Sequence, residues 1–257
     1  MASNDNPSVD NTHTQSNHKG VVLVMGAGDA IGSAIARKFA LQGHPVCLVR
    51  RSHDKLKPLV AEIEALGGKA YGFACDARNE EQVEALFKKI EETLGELEAV
   101  VFNIGANVPM GILGTSSKKF YKIWEMACFA GFLTGREAAK YMTKRKRGSI
   151  LFTGATASVR GGAAFAAFSS AKQGLKAVAQ SMARELGPQN IHVAHVVIDA
   201  MVDTDFINNN FSSLVDAAGE DGIVKPDDLA DNYVMLHQQP RNAWTFELDV
   251  RPWGEKW

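Results

Sequence analysis

"VLVMGAGDAIGSAIA", Val22 to Ala36, is the stretch on which the fold turns. An unbroken apolar run ends in Gly26, Gly28 and Gly32, and apolar residues at helical spacing begin at once. A strand, a glycine turn and a helix in this order can receive a dinucleotide pyrophosphate. Glycines allow the tight turn and close backbone approach, and the helix start offers free N–H groups and the positive end of its dipole. A glycine triplet alone also fits a purely structural turn. Its place between a first strand and a first helix, at the start of the folded region, favours the binding reading.

The alternation continues outward from this turn. Short apolar runs at 45–50, 69–76, 98–105, 148–154, 191–198 and 243–250 predict further strands. Amphipathic segments at 30–43, 53–68, 79–95, 117–144, 164–187 and 225–238 predict the helices between them, with Asn79 as an N-cap. Continuously apolar strands alternating with helices imply an α/β fold, a doubly wound parallel sheet covered on both faces. No repeat or interdomain linker interrupts the pattern, so residues 20–257 are read as one domain. The polar stretch 1–19 lacks an apolar core; it reads as a disordered tail and not as a signal peptide.

The whole chain sets bounds on function. Its 257 residues are 46% hydrophobic and 22% charged, as in a soluble globular protein with one sizeable core. A net charge of -1 argues against a nucleic-acid or anionic-membrane partner. The basic run Lys144–Arg147 reads as a solvated helix end. Three cysteines without C-x-x-C spacing favour a reducing compartment. With no apolar run long enough to cross a membrane, the cytoplasm is the expected location.

The spacing of Gly26, Gly28 and Gly32 resembles the T-G-x-x-x-G-x-G turn of the short-chain dehydrogenases/reductases, with Met25 in place of Thr and Ala30 in place of the middle Gly. "CDA" (Cys75–Ala77), "FNIG" (Phe102–Gly105) and "DAMVDT" (Asp199–Thr204) resemble further motifs of that family over about residues 20–250. The resemblance implies a Rossmann fold and an NAD(P)-dependent oxidoreductase acting on a small molecule. It also implies cofactor contacts from Gly26, Gly28, Asp29 and Ile31 at the turn, from Asp76 and Ala77 near adenine, and from Asn103, Gly105, Lys172 and Thr204. Arg50 and Arg51 at the end of the second strand, with no acid there, favour NADP over NAD, because guanidinium suits a 2′-phosphate.

Catalysis in the family rests, by the same resemblance, on Asn, Ser, Tyr and Lys. This chain keeps Lys172, but Phe168 stands at the Tyr position, Ala155 at the Ser and Cys128 at the Asn. Phenylalanine has no proton to exchange. Thr153, Thr156, Ser169 and Ser170 lie nearby and are read as packed or capping hydroxyls. Ser169 and Lys172 form S-x-x-K without the partner motifs of an acyl-transfer site. His192 and His195 point to opposite faces of a strand and so form no joint metal site. No metal is expected. The sequence supports two functions: an NADP-dependent oxidoreductase with a non-standard proton donor and a small apolar substrate, or a pseudoenzyme that binds NADP(H) as a structural or regulatory ligand. The segment Met201–Val224 reads as the lid of an apolar pocket. The long helices and the terminal Trp253 and Trp257 suggest a homodimer or homotetramer.

Overall fold

A computed structural model of the chain describes residues 19–28 and 30–255; the predicted tail up to residue 18, Asp29 and Trp257 lie outside the described residues. β1 (Val21–Met25) is buried along its whole length, as its unbroken apolar sequence requires. It pairs in parallel with β2 (Val46–Arg50) on one side and with β4 (Leu97–Phe102) on the other. β3 (Ala70–Ala74) extends the sheet beyond β2. β5 (Ser149–Thr153), β6 (His192–Ile198) and β7 (Glu247–Val250) extend it beyond β4. The order is thus β3-β2-β1-β4-β5-β6-β7, all parallel, with the chain reversing direction of travel between β1 and β4. Crevices at such a switch point, beyond the carboxyl ends of the strands, are where ligands bind in open α/β sheets.

Alternate strand residues feed two cores. Val22 and Val24 pack with residues of α1 (Ile31–Leu41), α2 (Lys57–Ala65) and a late helix at Pro226–Gln238. Val21, Leu23 and Met25 pack on the other face, against α3 (Glu80–Thr93) and the long helices at Ala130–Arg145 and Ala166–Leu186. Asn79 caps α3, its side chain accepting from the Gln82 N–H at 3.0 Å.

The predicted helix 117–144 is three joined pieces: α4 (Ser117–Trp124), a π-type turn (Glu125–Phe129) and α5 (Ala130–Arg145). The extra residue of a π turn rotates the downstream helix without ending it, so the apolar pattern does not betray it. Cys128 lies in this turn. α6 (Ala166–Leu186) comes after β5, α7 (Asp205–Asn210) and α8 (Ser212–Ala218) come after β6, and α9 is the helix at Pro226–Gln238. The basic run is not simply solvated. Arg145 is mostly buried and pairs with Glu91 at 2.8 Å, Arg147 pairs with Glu96 at 2.6 Å, and Lys146 takes the left-handed conformation that closes α5. Among the described residues no helix is long and apolar enough to cross a membrane.

Candidate functional site

The carboxyl ends of the strands open into a cleft with two lobes that share Gly26, Gly28, Asn103, Ile104 and Gly105. One lobe, about 350 Å³, lies toward β2 and β3; the other, about 420 Å³, lies toward β5 and β6. Together they straddle the switch point.

The glycines are there for different reasons. Gly26 has φ +95°, and a Cβ on it would stand 2.6 Å from the Asn103 carbonyl oxygen. A Cβ on Gly32 would stand 2.3 Å from the Gly26 oxygen. Both are therefore fixed by chain packing in the turn, Gly26 against the end of β4 and not primarily against a ligand. Gly28 has nothing within 4 Å of its would-be Cβ, so its open side belongs to the cleft. Asn103 secures the turn by donating from its amide to the Gly26 oxygen at 3.2 Å.

The β2 lobe is cationic. Arg50, Arg51, Lys55 and Arg78 line it. Asp76 and Ala77 line it too, but the Asp76 carboxylate already accepts from Arg78 Nε at 2.9 Å and Nη2 at 2.5 Å. Those hydrogen bonds hold its carboxyl below the usual carboxylate range. Sequence reasoning does not single out Lys55 and Arg78. Their only signal is the proximity of basic residues to two strand ends, which becomes specific once β2 and β3 are known to be neighbours.

The β5 lobe holds the residues expected around a nicotinamide. Ile31, Phe168, Ala155, Lys172 and Thr204 line it. Thr204 also caps α7, its hydroxyl accepting from the Ile207 N–H at 3.2 Å. Lys172 is 2% exposed, and its ammonium donates to the carbonyl oxygens of Ile104 at 3.1 Å and Thr153 at 2.8 Å. Burial pushes its pKa down to about 8.

Cys128 is close to Lys172 but does not line the cleft. A Cβ on Gly174 would stand 2.9 Å from its Sγ, and burial pushes the thiol up. Cys128 and Phe168 are members of one buried apolar cluster with Ala106, Ile123, Ala157 and Ala171, and Ala155 packs against it. The three positions at which the family resemblance expects polar groups thus belong to one apolar cluster.

The neighbouring hydroxyls are occupied, with one exception. Thr153 shares a 2.7 Å hydrogen bond with Tyr233, and Ser170 donates to the Ala167 carbonyl at 2.9 Å. Thr156 donates to Asp199 at 2.6 Å. Ser169 Oγ is buried with no protein partner. Asp199, at the Pro position of the motif, also receives both Arg160 terminal nitrogens, at 2.8 and 3.0 Å. This network, centred on the buried Asp199 carboxylate, joins residues 39 apart in sequence, which no local pattern announces. His192 and His195 do face opposite ways: His192 stacks on Trp244 and bonds the Thr245 carbonyl, while His195 Nδ1 lies 3.2 Å from Glu247.

The profile of the family described as "short chain dehydrogenase" matches residues 20–214. The chain belongs to the short-chain dehydrogenase family. The family unites NAD(P)-dependent oxidoreductases, and the glycine turn and two-lobed cleft of this short-chain dehydrogenase fit a nicotinamide dinucleotide. A 3-oxoacyl-[acyl-carrier-protein] reductase of Mycobacterium tuberculosis is 30% identical over 184 residues, 72% of this chain and 70% of that one. A short-chain dehydrogenase from Rhodopseudomonas palustris is 50% identical, with TM-score 0.79 over 91% of this chain and 99% of the other. A metagenomic short-chain oxidoreductase in complex with NADP is 28% identical, with TM-score 0.77 over 91% and 97% of the two chains.

Proposed function

We propose that this short-chain dehydrogenase is an NADP(H)-dependent oxidoreductase acting on a small apolar carbonyl compound through a degenerate catalytic tetrad. The observation that carries the reading is the pairing of a cationic lobe with a second lobe walled by Lys172 across the switch point. In that reading Arg50 and Arg51 receive the 2′-phosphate, the Gly26–Gly32 turn receives the pyrophosphate, and Lys172 stands beside the nicotinamide. The cofactor supplies a hydride. The chain's own residues bind, orient and exclude water. The β5 lobe is walled in part by Ile31, Ala155, Phe168, Ile198, Ala200 and Val202, which suits an apolar substrate. The reductase name of the mycobacterial relative and the NADP of the metagenomic neighbour support the same assignment.

A second reading is favoured by the apolar cluster at Phe168, Cys128 and Ala155: a pseudoenzyme in which NADP(H) stabilises the fold or an interaction surface. Incubating the protein with NADPH and a panel of ketones, diketones and quinones separates the two. Turnover supports the oxidoreductase; tight NADPH binding without turnover supports the pseudoenzyme. In either case a homodimer or homotetramer in the cytoplasm is expected. A ladder of stacked rings, Tyr121–Trp124–Phe129–Phe132, runs along α4 and α5, with Tyr121 and Phe132 exposed, and offers the contact face. A monomer by light scattering would refute that expectation.

A further inference from the structure

Among the described residues, Lys172 is the one titratable side chain that lines the β5 lobe. The polar groups beside it are the amides of Asn103 and Asn107 and the hydroxyls of Thr153 and Thr204, none of which is an acid near neutral pH. Two N–H bonds of the ammonium go to uncharged carbonyls, leaving a third. Among the described residues no carboxylate pairs with it. From the elements packed around α6, the titratable groups within electrostatic reach are Cys128 and His195; burial keeps the thiol protonated and the imidazole neutral at pH 7. The ammonium also stands at the wall of the cleft. Its Nζ is 5.9 Å from the Phe168 ring centre, and a Cβ on Gly105 would be 4.0 Å from it, both residues lining the lobe. A buried ammonium with neutral acceptors lets its proton go more readily than a solvated one, and here burial lowers the pKa to about 8, near the range where a general acid works best.

We propose that Lys172 is itself the general acid of this site, giving its third N–H proton directly to the substrate oxygen where a phenol is missing. The proposal rests on the oxidoreductase reading. As the carbonyl carbon accepts a hydride from the reduced nicotinamide, the C=O π pair moves onto oxygen. The Nζ–H bond breaks with its electrons left on nitrogen, and an O–H bond forms. The products are an alcohol, the oxidised cofactor and a neutral amine, which regains a proton from water.

The test combines a titration that needs no turnover with kinetics. Protein labelled with 13C at lysine Cε is titrated from pH 6 to 11 by NMR, and Lys172→Met identifies the resonance. A midpoint near 8 is expected, and a midpoint above 10 overturns the proposal. In parallel, kcat for 2,3-butanedione and the NADPH dissociation constant are measured between pH 6 and 10. The rate should fall as pH rises through about 8 while NADPH affinity shows no such break. Lys172→Arg keeps the charge but holds its proton. It should lose on the order of a hundredfold in kcat at saturating NADPH, with calorimetry confirming that the cofactor is bound. Turnover that survives Lys172→Met or Lys172→Arg overturns the acid role alone. Absence of turnover by the parent at every pH, with NADPH bound, overturns the oxidoreductase reading and the acid role with it.

Discussion

Reversing the charge of Arg50 tests the cofactor assignment without knowledge of the substrate. Arg50, Arg51, Lys55 and Arg78 line one lobe of the cleft, and among the described residues its one carboxylate, Asp76, is taken up by Arg78. A 2′-phosphate entering that lobe meets a surplus of positive charge, from which the 2′-hydroxyl of NADH gains little. A hydrogen bond between guanidinium and phosphate contributes about 1.5–3 kcal/mol, and each 1.4 kcal/mol or so is tenfold in affinity. Arg50→Asp removes that bond and adds a repulsion of roughly 2 kcal/mol for unit charges about 7 Å apart at an effective dielectric of about 20. The lobe is open to water and salt screens part of this, so a loss on the order of a hundredfold in NADPH affinity is expected. Calorimetric titration with NADPH and with NADH, at low and high salt, is the assay. The parent should prefer NADPH by tenfold or more, less so at high salt, and the variant should prefer NADH. Equal affinities in the parent, or an equal loss of both cofactors in the variant, would refute the reasoning.

Gly32→Ala must push the turn open, since its Cβ would be 2.3 Å from the Gly26 oxygen, whereas Gly28→Ala meets nothing. Thermal melting should show a lower Tm for Gly32→Ala and none of that loss for Gly28→Ala, while both weaken NADPH binding in calorimetry. Acid should destabilise the fold before any carboxylate titrates. Burial lowers His237 and His195 to about 4 and also lowers His44 and His192, so the unfolded chain takes up protons near pH 6.5 that the folded chain refuses. Stability is then full above about pH 6.5 and falls as pH drops toward 4, by about 2 kcal/mol at pH 5 for a histidine shifted this far. A urea midpoint that stays flat between pH 7.5 and 5 contradicts this. Finally, Phe168→Tyr with Ala155→Ser and Cys128→Asn should raise NADPH-dependent reduction of small ketones or quinones, by less than the roughly 10²–10⁴ that a general acid adds where none is present because Lys172 already supplies a proton, and at some cost in Tm because Cys128 is packed tightly against Gly174. An unchanged rate in a folded triple variant removes these three positions from the proton path.

The parts of the fold legible in sequence are those where burial on both sides leaves a continuous apolar run. β1, β2, β5 and β6 are examples, and the glycine turn marks the switch point directly. The apolar run at 243–250 overstates β7, because only Glu247–Val250 pairs with β6 while the Trp244 ring stacks on His192 and the Thr245 carbonyl bonds its Nε2. The π turn at Glu125–Phe129 is invisible because one extra residue per turn leaves apolar spacing nearly helical. At the site, the strand-end positions can be found because a motif fixes them relative to the glycines. Asp199 looks in sequence like a mere stand-in for proline. Its partners Thr156 and Arg160 sit on the loop after β5, and only the pairing of β5 with β6 brings them together.

Lys172 shows why the chain can lack three polar groups and still keep a built site. Its acceptors are backbone carbonyls at the ends of β4 and β5, and any side chains at those positions would supply them. The placement of the ammonium therefore depends on sheet order and not on Phe168, Ala155 or Cys128. Packing alone would favour an apolar residue at 172. Taking a charge out of water is costly, two neutral acceptors offset it only in part, and the surrounding cluster is already apolar. Burial pushes the pKa of the ammonium down for the same reason. A group so unfavourable to the fold, held at the wall of a cleft by contacts that no neighbouring substitution disturbs, is better explained by what the cleft binds than by what the core needs.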